Sequence, residues 1–239
     1  MKLIKPKVEI LDRLDERAVI GRIATVARTC YKSENMRTAD KDYALVKRLI
    51  DSKHDAMLEF VDVTVKFTCD RAIANELVRH RMASYAQEST RYCNYSKDKF
   101  GNELTFIIPS WLGIPEGNYS QWDGDWVNID EMKINLPHDN KKAVCNWLHT
   151  LRDVELTYRL LTNKGWTAEQ ARSVLPLCIK TEINMKANLR EWRHFFRLRC
   201  SKHAHPDMRV LALDLLKQMH DKLPTIFEDI YQEFYSKED

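Results

Sequence analysis

Between residues 61 and 69, Val61, Val63, Val65, Phe67 and Cys69 alternate with Asp62, Thr64, Lys66 and Thr68. A period of two puts the two sets on opposite faces of an extended strand, one buried and one wet. A one-sided strand of this kind suits an antiparallel sheet, because a parallel sheet covered on both faces is apolar on both. The period then changes. Asp70 can cap a helix whose Ile73, Ala74, Leu77 and Val78 recur at spacings of three and four. That helix runs into Arg79-His80-Arg81, and cations in a last turn gain about 0.3–1 kcal/mol each from the negative end of the helix dipole. Steps of about 100° fan the three side chains too widely for one ligand, so the helix is expected to end there. Beyond it an irregular polar segment is expected to present Gln87, Glu88, Ser89 and Arg91.

A second run of the same kind lies a hundred residues downstream. Leu177, Ile179, Ile183 and Met185 alternate with Lys180, Glu182 and Asn184, predicting a second half-buried strand. It leads into Asn188-Leu189-Arg190-Glu191-Trp192-Arg193-His194-Phe195-Phe196-Arg197-Leu198-Arg199, a helix with Leu189, Trp192 and Phe196 inward and Phe195 beside them. Arg190, Arg193 or His194, and Arg197 recur on its other side. Lys202, His203 and His205 follow within one irregular turn. No carboxylate or cysteine pattern joins the two histidines, so no metal is expected.

Around these runs the pattern predicts a strand from Lys7 to Leu11 and helices over 16–29, after Thr38, and from an Asn140 cap to Gly165. Thr167 and Gln170 form a capping box for a short helix ended by Pro176. Closing helices are expected over 206–223 and 225–234, the second capped by Thr225 with Glu228. Leu104 to Ile108 is a short strand ended by Pro109. Residues 110–140 hold Gly113, Pro115, Gly117, Gly124 and Pro137 with Trp111, Trp122 and Trp126, a long loop of the functional or surface-insertion type.

A chain of 239 residues supports one large core, and a single domain 1–239 with an insertion-like segment at 110–140 is expected. Six scattered cysteines without a C-x-x-C pair suit reduced thiols, and the charged first residues do not form a leader peptide. A soluble cytoplasmic protein is expected, with no membrane partner. The six glycines form neither G-x-G-x-x-G nor a Walker loop. A dinucleotide would therefore be held without a Rossmann unit, its phosphates neutralised by side chains.

Arginine forks match phosphate oxygens, and two Arg- and His-rich helix ends make sense if they converge on polyanionic ligands. A nucleotide plus a pyrophosphate-bearing cofactor would use that much charge. A substrate turning into an enolate also needs a fixed cation where charge develops. A different class remains open at this stage: a non-catalytic single-stranded nucleic-acid-binding protein, with Trp and Phe for base stacking.

Arg79-His80-Arg81, seven residues, then Ser89-Thr90-Arg91-Tyr92 resembles the signature of the flavin-dependent thymidylate synthases, and the likeness extends from about His54 to His205. The resemblance implies an α+β fold, an antiparallel sheet flanked by helices, in a homotetramer with shared active sites and no nucleic-acid partner. It implies reductive methylation of dUMP to dTMP, with 5,10-methylenetetrahydrofolate as carbon donor and FAD reduced by NADPH as hydride source. By the same likeness Arg79, His80, Arg81, Gln87, Asn188, Arg190, His194 and His203 are FAD-binding residues. Glu76, Arg79, Gln87, Glu88, Ser89, Thr90, Arg91, Arg172 and Arg199 are dUMP-binding, and His54 lies at the folate and flavin edge. Arg199 is implied to ionise uracil N3, making C5 nucleophilic without a cysteine adduct, while Ser89 positions the base. The chain departs from the family pattern at Glu76, at Ala86-Gln87, at His194 and in the 110–140 segment.

Overall fold

The computed structural model describes residues 1–30, 32, 33, 35, 37–119 and 138–236, with side chains in the last helix-bearing stretch from 141 onward. Trp122, Gly124, Trp126 and Pro137 of the expected insertion lie outside the described residues. The architecture is α+β, with antiparallel strands flanked by helices and, among the described residues, a parallel pairing as well. The chain groups into two compact units, Met1–Lys7 with Thr68–Glu76 and Gln87–Ile183, and Val8–Phe67 with Leu77–Ala86 and Asn184–Asp239.

In chain order, β1 (Lys2–Ile4) and β2 (Lys7–Ile10) precede two capped helices. α1 (Glu16–Thr29) starts at Asp15, whose carboxylate accepts from Ala18 N at 2.8 Å, and buries Ile20, Ile23, Ala24 and Ala27. α2 (Ala39–Asp51) starts at Thr38, whose hydroxyl accepts from Lys41 N. A buried ion pair, Arg28 Nη2 to Asp42 Oδ1 at 2.8 Å, ties α1 to α2. A 3-10 stretch, Asp55–Phe60, leads into β3 (Asp62–Asp70), where Val63, Val65 and Phe67 are fully buried. The expected alternation holds as far as Phe67 and Cys69 on the buried face, but Thr68, expected on the wet face, is itself buried at 2% exposure.

Asp70 Oδ1 accepts from Ile73 N at 2.7 Å and so caps α3 (Arg71–Leu77). The helix stops one residue before Val78, which is 40% exposed and so does not join the buried stripe of Ile73, Ala74 and Leu77. The irregular polar segment expected next is instead β4 (Ala83–Gln87). Tyr85 supplies the reason. Its hydroxyl lies 2.7 Å from both Leu77 O and His80 O, so its one hydrogen is shared between the two carbonyls. Leu77 O also accepts from His80 N at 3.0 Å, and the Tyr85 contact ties the strand back to the helix end.

β5 (Thr105–Ile107) pairs in parallel with β1, and β6 (Gly117–Asn118) pairs antiparallel on its other edge, giving the order β5-β1-β6. α4 (His138–Asn163) begins two residues before Asn140, which therefore lies inside the first turn and does not cap it. Its Val144, Leu148, Leu151 and Tyr158 join Leu3, Leu104, Phe106 and Ile108 in one core. Gly165, at φ +91°, ends the helix in the left-handed region. The Thr167–Gln170 capping box forms at the start of α5 (Ala168–Ala171).

β7 (Lys180–Asn188) starts three residues later than the alternation suggested. Ile179 N donates to Pro176 O at 3.1 Å, a turn that throws Leu177 outward, 61% exposed. Its inward face is Thr181, Ile183, Met185 and Ala187. The second sheet has the order β2-β3-β7-β4.

Asn188 Oδ1 accepts from Glu191 N at 2.9 Å and caps α6 (Leu189–Arg199). Trp192, Phe195 and Phe196 form an edge-to-face cluster with Phe67 and Phe227, and Trp192 Nε1 donates to Val63 O at 3.1 Å. Arg193 does not share a solvated face with Arg190 and Arg197. It is 1% exposed, with its guanidinium on Ile226 O and on Asp229 at 2.6 and 2.8 Å. A basic period cannot distinguish a solvated arginine from one facing a carboxylate on a later helix.

α7 (Pro206–Lys222) and α8 (Pro224–Tyr235) close the chain, each with proline in its first turn. Thr225 is not the cap of α8: helical geometry begins at Pro224, and Thr225 N is taken by Glu16 Oε1 at 2.8 Å. All six cysteines are free thiols. Among the described residues no helix is long and apolar enough to cross a membrane.

Candidate active site

The two cationic runs meet at His80. Its ring is 5% exposed, with Nδ1 3.1 Å from Glu191 Oε1 and Nε2 3.1 Å from Arg199 Nε. An arginine Nε always carries hydrogen, so it donates, and His80 Nε2 must accept. The ring proton then resides on Nδ1 and is donated to Glu191. This assignment follows from the bonding partners, and the electrostatics agree with it. Burial holds the imidazole below its ordinary value of 6.5, and the Arg199 charge acts in the same sense against the opposing hydrogen bond and charge of Glu191. Phe195 covers one side, with ring centroids 5.0 Å apart, and His194 stands edge-on at 6.2 Å. Tyr85, whose hydroxyl bonds the His80 carbonyl, is pushed up to about 12 by burial and by Glu191, so its phenol keeps its proton.

Beside this relay lies a cavity of about 380 Å³, at the lower end of small-molecule pockets. Asp55, Glu59, Met82, Asn188, Arg190, Glu191, His194 and Arg197 line it. Asp55 Oδ1 is buried there with no hydrogen-bond partner among the described residues, an acceptor suited to a ligand N–H. Arg190 Nη1 bonds Glu59 Oε1 at 2.5 Å, and Arg197 reaches Asp229 at 3.4 Å. Asn188 faces the cavity while its Oδ1 caps α6. Arg79 and Arg81 are exposed on the turn between α3 and β4. His54 is exposed at the start of the 3-10 stretch, and His203 is exposed in the turn after α6.

A separate cluster is built on the residues after β4. Glu88 is its hub: Oε2 accepts from Lys180 Nζ at 2.9 Å and from Glu182 N at 3.2 Å, and Oε1 from Tyr95 Oη at 2.9 Å. Burial disfavours the Lys180 charge, but hydrogen bonds and attraction from Glu88 and Glu182 outweigh it and raise the lysine above 10.5. Gln87 Nε2 donates to Thr181 Oγ1 at 3.3 Å. Ser89 Oγ accepts from Arg91 N, and Ser89 O accepts from Tyr92 N and Cys93 N, a side-chain-stabilised turn that exposes Arg91. Arg91 Nε pairs with Glu169 at 2.8 Å, and Arg172 Nη1 lies 3.4 Å from the hydroxyl of buried Thr90. Glu76 is half-buried on α3.

Most of the sequence-predicted residues fall in two groups, His80, Asn188, Arg190, His194 and Arg199 around one ring and cavity, and Gln87 to Arg91 with Arg172 in the other; Arg79, Arg81, His54, His203 and Glu76 belong to neither. Sequence reasoning missed Glu191, Asp55, Tyr85 and Lys180. Only Glu191 carried a signal, its place three residues after the Asn188 cap.

The profile of the family described as thymidylate synthase complementing protein matches residues 15–225. A flavin-dependent thymidylate synthase of Geobacter sulfurreducens is 30% identical over 215 residues, covering 87% of this chain and 80% of that protein. One from Pyrococcus furiosus is 31% identical over 173 residues, covering 72% and 60%. Among solved structures, a UMP/dUMP methylase, PolB, from Streptomyces cacaoi bound with 5-Br dUMP superposes with a TM-score of 0.72 over 98% of each chain. At 21% identity that likeness concerns the fold.

Proposed function

We propose a function from one premise: the chain belongs to the thymidylate synthase complementing protein family, the flavin-dependent thymidylate synthases. The protein is an enzyme that methylates dUMP reductively to dTMP, taking its carbon from 5,10-methylenetetrahydrofolate. FAD reduced by NADPH supplies the hydride that converts the transferred methylene into methyl. The observation that carries this reading is the union of the two basic runs at His80, with Arg199 held at its end.

The residues present fit the cofactor. The orphaned Asp55 Oδ1 and the amide of Asn188 suit the N–H groups and carbonyls of a heterocycle in the cavity. Exposed Arg79, Arg81 and Arg190 suit its phosphates. Both ring nitrogens of His80 are already bonded, so it supports the cofactor's neighbours and leaves direct polar contact to His194 and His203. The dUMP phosphate falls to Arg91 and Arg172, with Gln87, Ser89 and Thr90 orienting the nucleoside and Glu76 beside them. Glu88 shapes that turn through Lys180 and Tyr95. Arg199 meets uracil N3, favours its anion and so raises electron density at C5. Ser89 orients the base without attacking it. His54 lies at the folate edge.

The assembly is a homotetramer whose sites are shared between subunits, each chain contributing one catalytic domain with an insertion at 110–140, and the enzyme is cytoplasmic. Its test is the visible spectrum: purified protein given FAD should retain a flavin band that bleaches with NADPH. Protein that takes up no flavin, yet binds single-stranded nucleic acid with a steep salt dependence, would overturn the reading.

A further inference from the structure

We propose that Glu191 is a positioning residue, fixing the tautomer of His80 so that its Nε2 lone pair anchors Arg199 in line with the substrate. The inference rests on the role of Arg199 proposed above and adds to it the device that aims the guanidinium. The chain of contacts is continuous: Glu191 Oε1 to His80 Nδ1 at 3.1 Å, then His80 Nε2 to Arg199 Nε at 3.1 Å.

A neutral imidazole can carry its proton on either nitrogen. With the proton on Nε2, its N–H would point at the N–H of Arg199, two donors face to face. The ring is 5% exposed, so solvent offers little relief. Glu191 removes the choice by accepting at Nδ1. Its backbone N–H donates to Asn188 Oδ1, the cap that fixes the first turn of α6 and with it the carboxylate. Arg199 sits eight residues further along the same helix, so one rigid element carries both ends of the relay.

The arrangement is sensitive to acid. A protonated His80 donates from both nitrogens, loses the Arg199 bond and adds a like charge beside it. The groups facing the ring are Glu191, His194, Arg199 and Phe195 from α6, and Tyr85 from β4 through the His80 carbonyl. Glu191 alone among them favours the imidazolium by both hydrogen bond and charge. Replacing its carboxylate by an amide keeps an acceptor for Nδ1–H while removing that charge.

The experiment measures tritium release from [5-³H]dUMP across pH for wild type, Glu191→Ala, Glu191→Gln and Arg199→Ala, each saturated with FAD and checked by its flavin absorbance. Glu191→Ala should lose turnover by about tenfold or more, equivalent to roughly 1.4 kcal/mol in the barrier. Glu191→Gln should recover most of it, and its acid limb should move to lower pH because the imidazolium has lost its carboxylate. A purely structural Glu191 would leave that limb in place. Full turnover in Glu191→Ala, or an unmoved limb in Glu191→Gln, overturns the proposal; the Gln variant decides if the Ala variant fails to fold. Normal turnover in Arg199→Ala would instead overturn the underlying role of Arg199.

Discussion

Glu88→Gln isolates the hub of the second cluster, because amide and carboxylate have the same shape but only one can accept three donors. Lys180 Nζ, Glu182 N and Tyr95 Oη all point at the Glu88 carboxylate, at 2.9, 3.2 and 2.9 Å. The two charged side chains are 20% and 17% exposed, so water compensates only in part. A charge-assisted bond is worth about 1.5–3 kcal/mol, and the amide NH₂ would face one of the donors. Lys180 keeps Glu182 at 3.3 Å, which lowers the expected loss to about 2 kcal/mol. For a chain of this length that loss corresponds to a Tm lower by roughly 4–8 °C.

The sign of the pH dependence follows from Lys180. Its folded pKa is raised, so the pair stabilises fully below the unfolded lysine range and is lost as pH rises through the folded value. The gap between wild type and variant should therefore close above pH 10.5, the ordinary lysine value. Urea unfolding of the two proteins, with Lys180→Met and the double variant completing a cycle, measures the coupling directly. The KM for dUMP should also rise, since the Ser89 to Arg91 turn loses its support. Additive effects in the cycle, or a stability change below about 0.5 kcal/mol, would refute the reasoning.

Asp229→Asn should destabilise by about 2–4 kcal/mol in urea unfolding, because it strands Arg193 inside the fold with the Ile226 carbonyl and a distant Asp55. Burial opposes the Asp229 charge, but Arg193 and Arg197 hold its carboxyl below the usual 3.8. Its contribution is thus present above the unfolded range and lost as pH falls through the lower folded value, a loss the Asn variant should not show. Gly165→Ala should cost about 1 kcal/mol, read as a lower unfolding midpoint, since φ +91° strains any β-carbon. Ser89→Ala should weaken dTMP formation without abolishing it, in assays of kcat/KM; complete loss with trapped covalent nucleotide would point to a serine nucleophile.

Period and capping made much of the fold legible. The Asp70 cap, the Thr167 box and the α6 core stripe are local rules, and each is obeyed; the alternation at 61–69 is obeyed except at Thr68, which is buried. The failures have non-local causes. β4 depends on Tyr85 reaching back to the end of α3, and the α8 N-terminus is satisfied by Glu16 from the other end of the chain. Leu177 reads as strand until Pro176 turns the backbone beneath it. At the site, the motif from Arg79 to Tyr92 brought the basic residues to attention, and the meeting of the two runs was expected from charge. What no spacing reveals is that His80 faces inward, with a carboxylate on one nitrogen and a guanidinium on the other. Burial of a histidine depends on tertiary packing, which here is the aromatic cluster around Phe195.

The central claim is that Arg199 activates a uracil for reductive methylation, and tritium release from [5-³H]dUMP measures it most directly. With FAD, NADPH and methylenetetrahydrofolate, the wild-type protein should release tritium and form dTMP in equal amounts, while folded, flavin-loaded Arg199→Ala should do neither. Equal turnover by the two proteins, or no release by the wild type with flavin bound and all substrates present, would contradict the account.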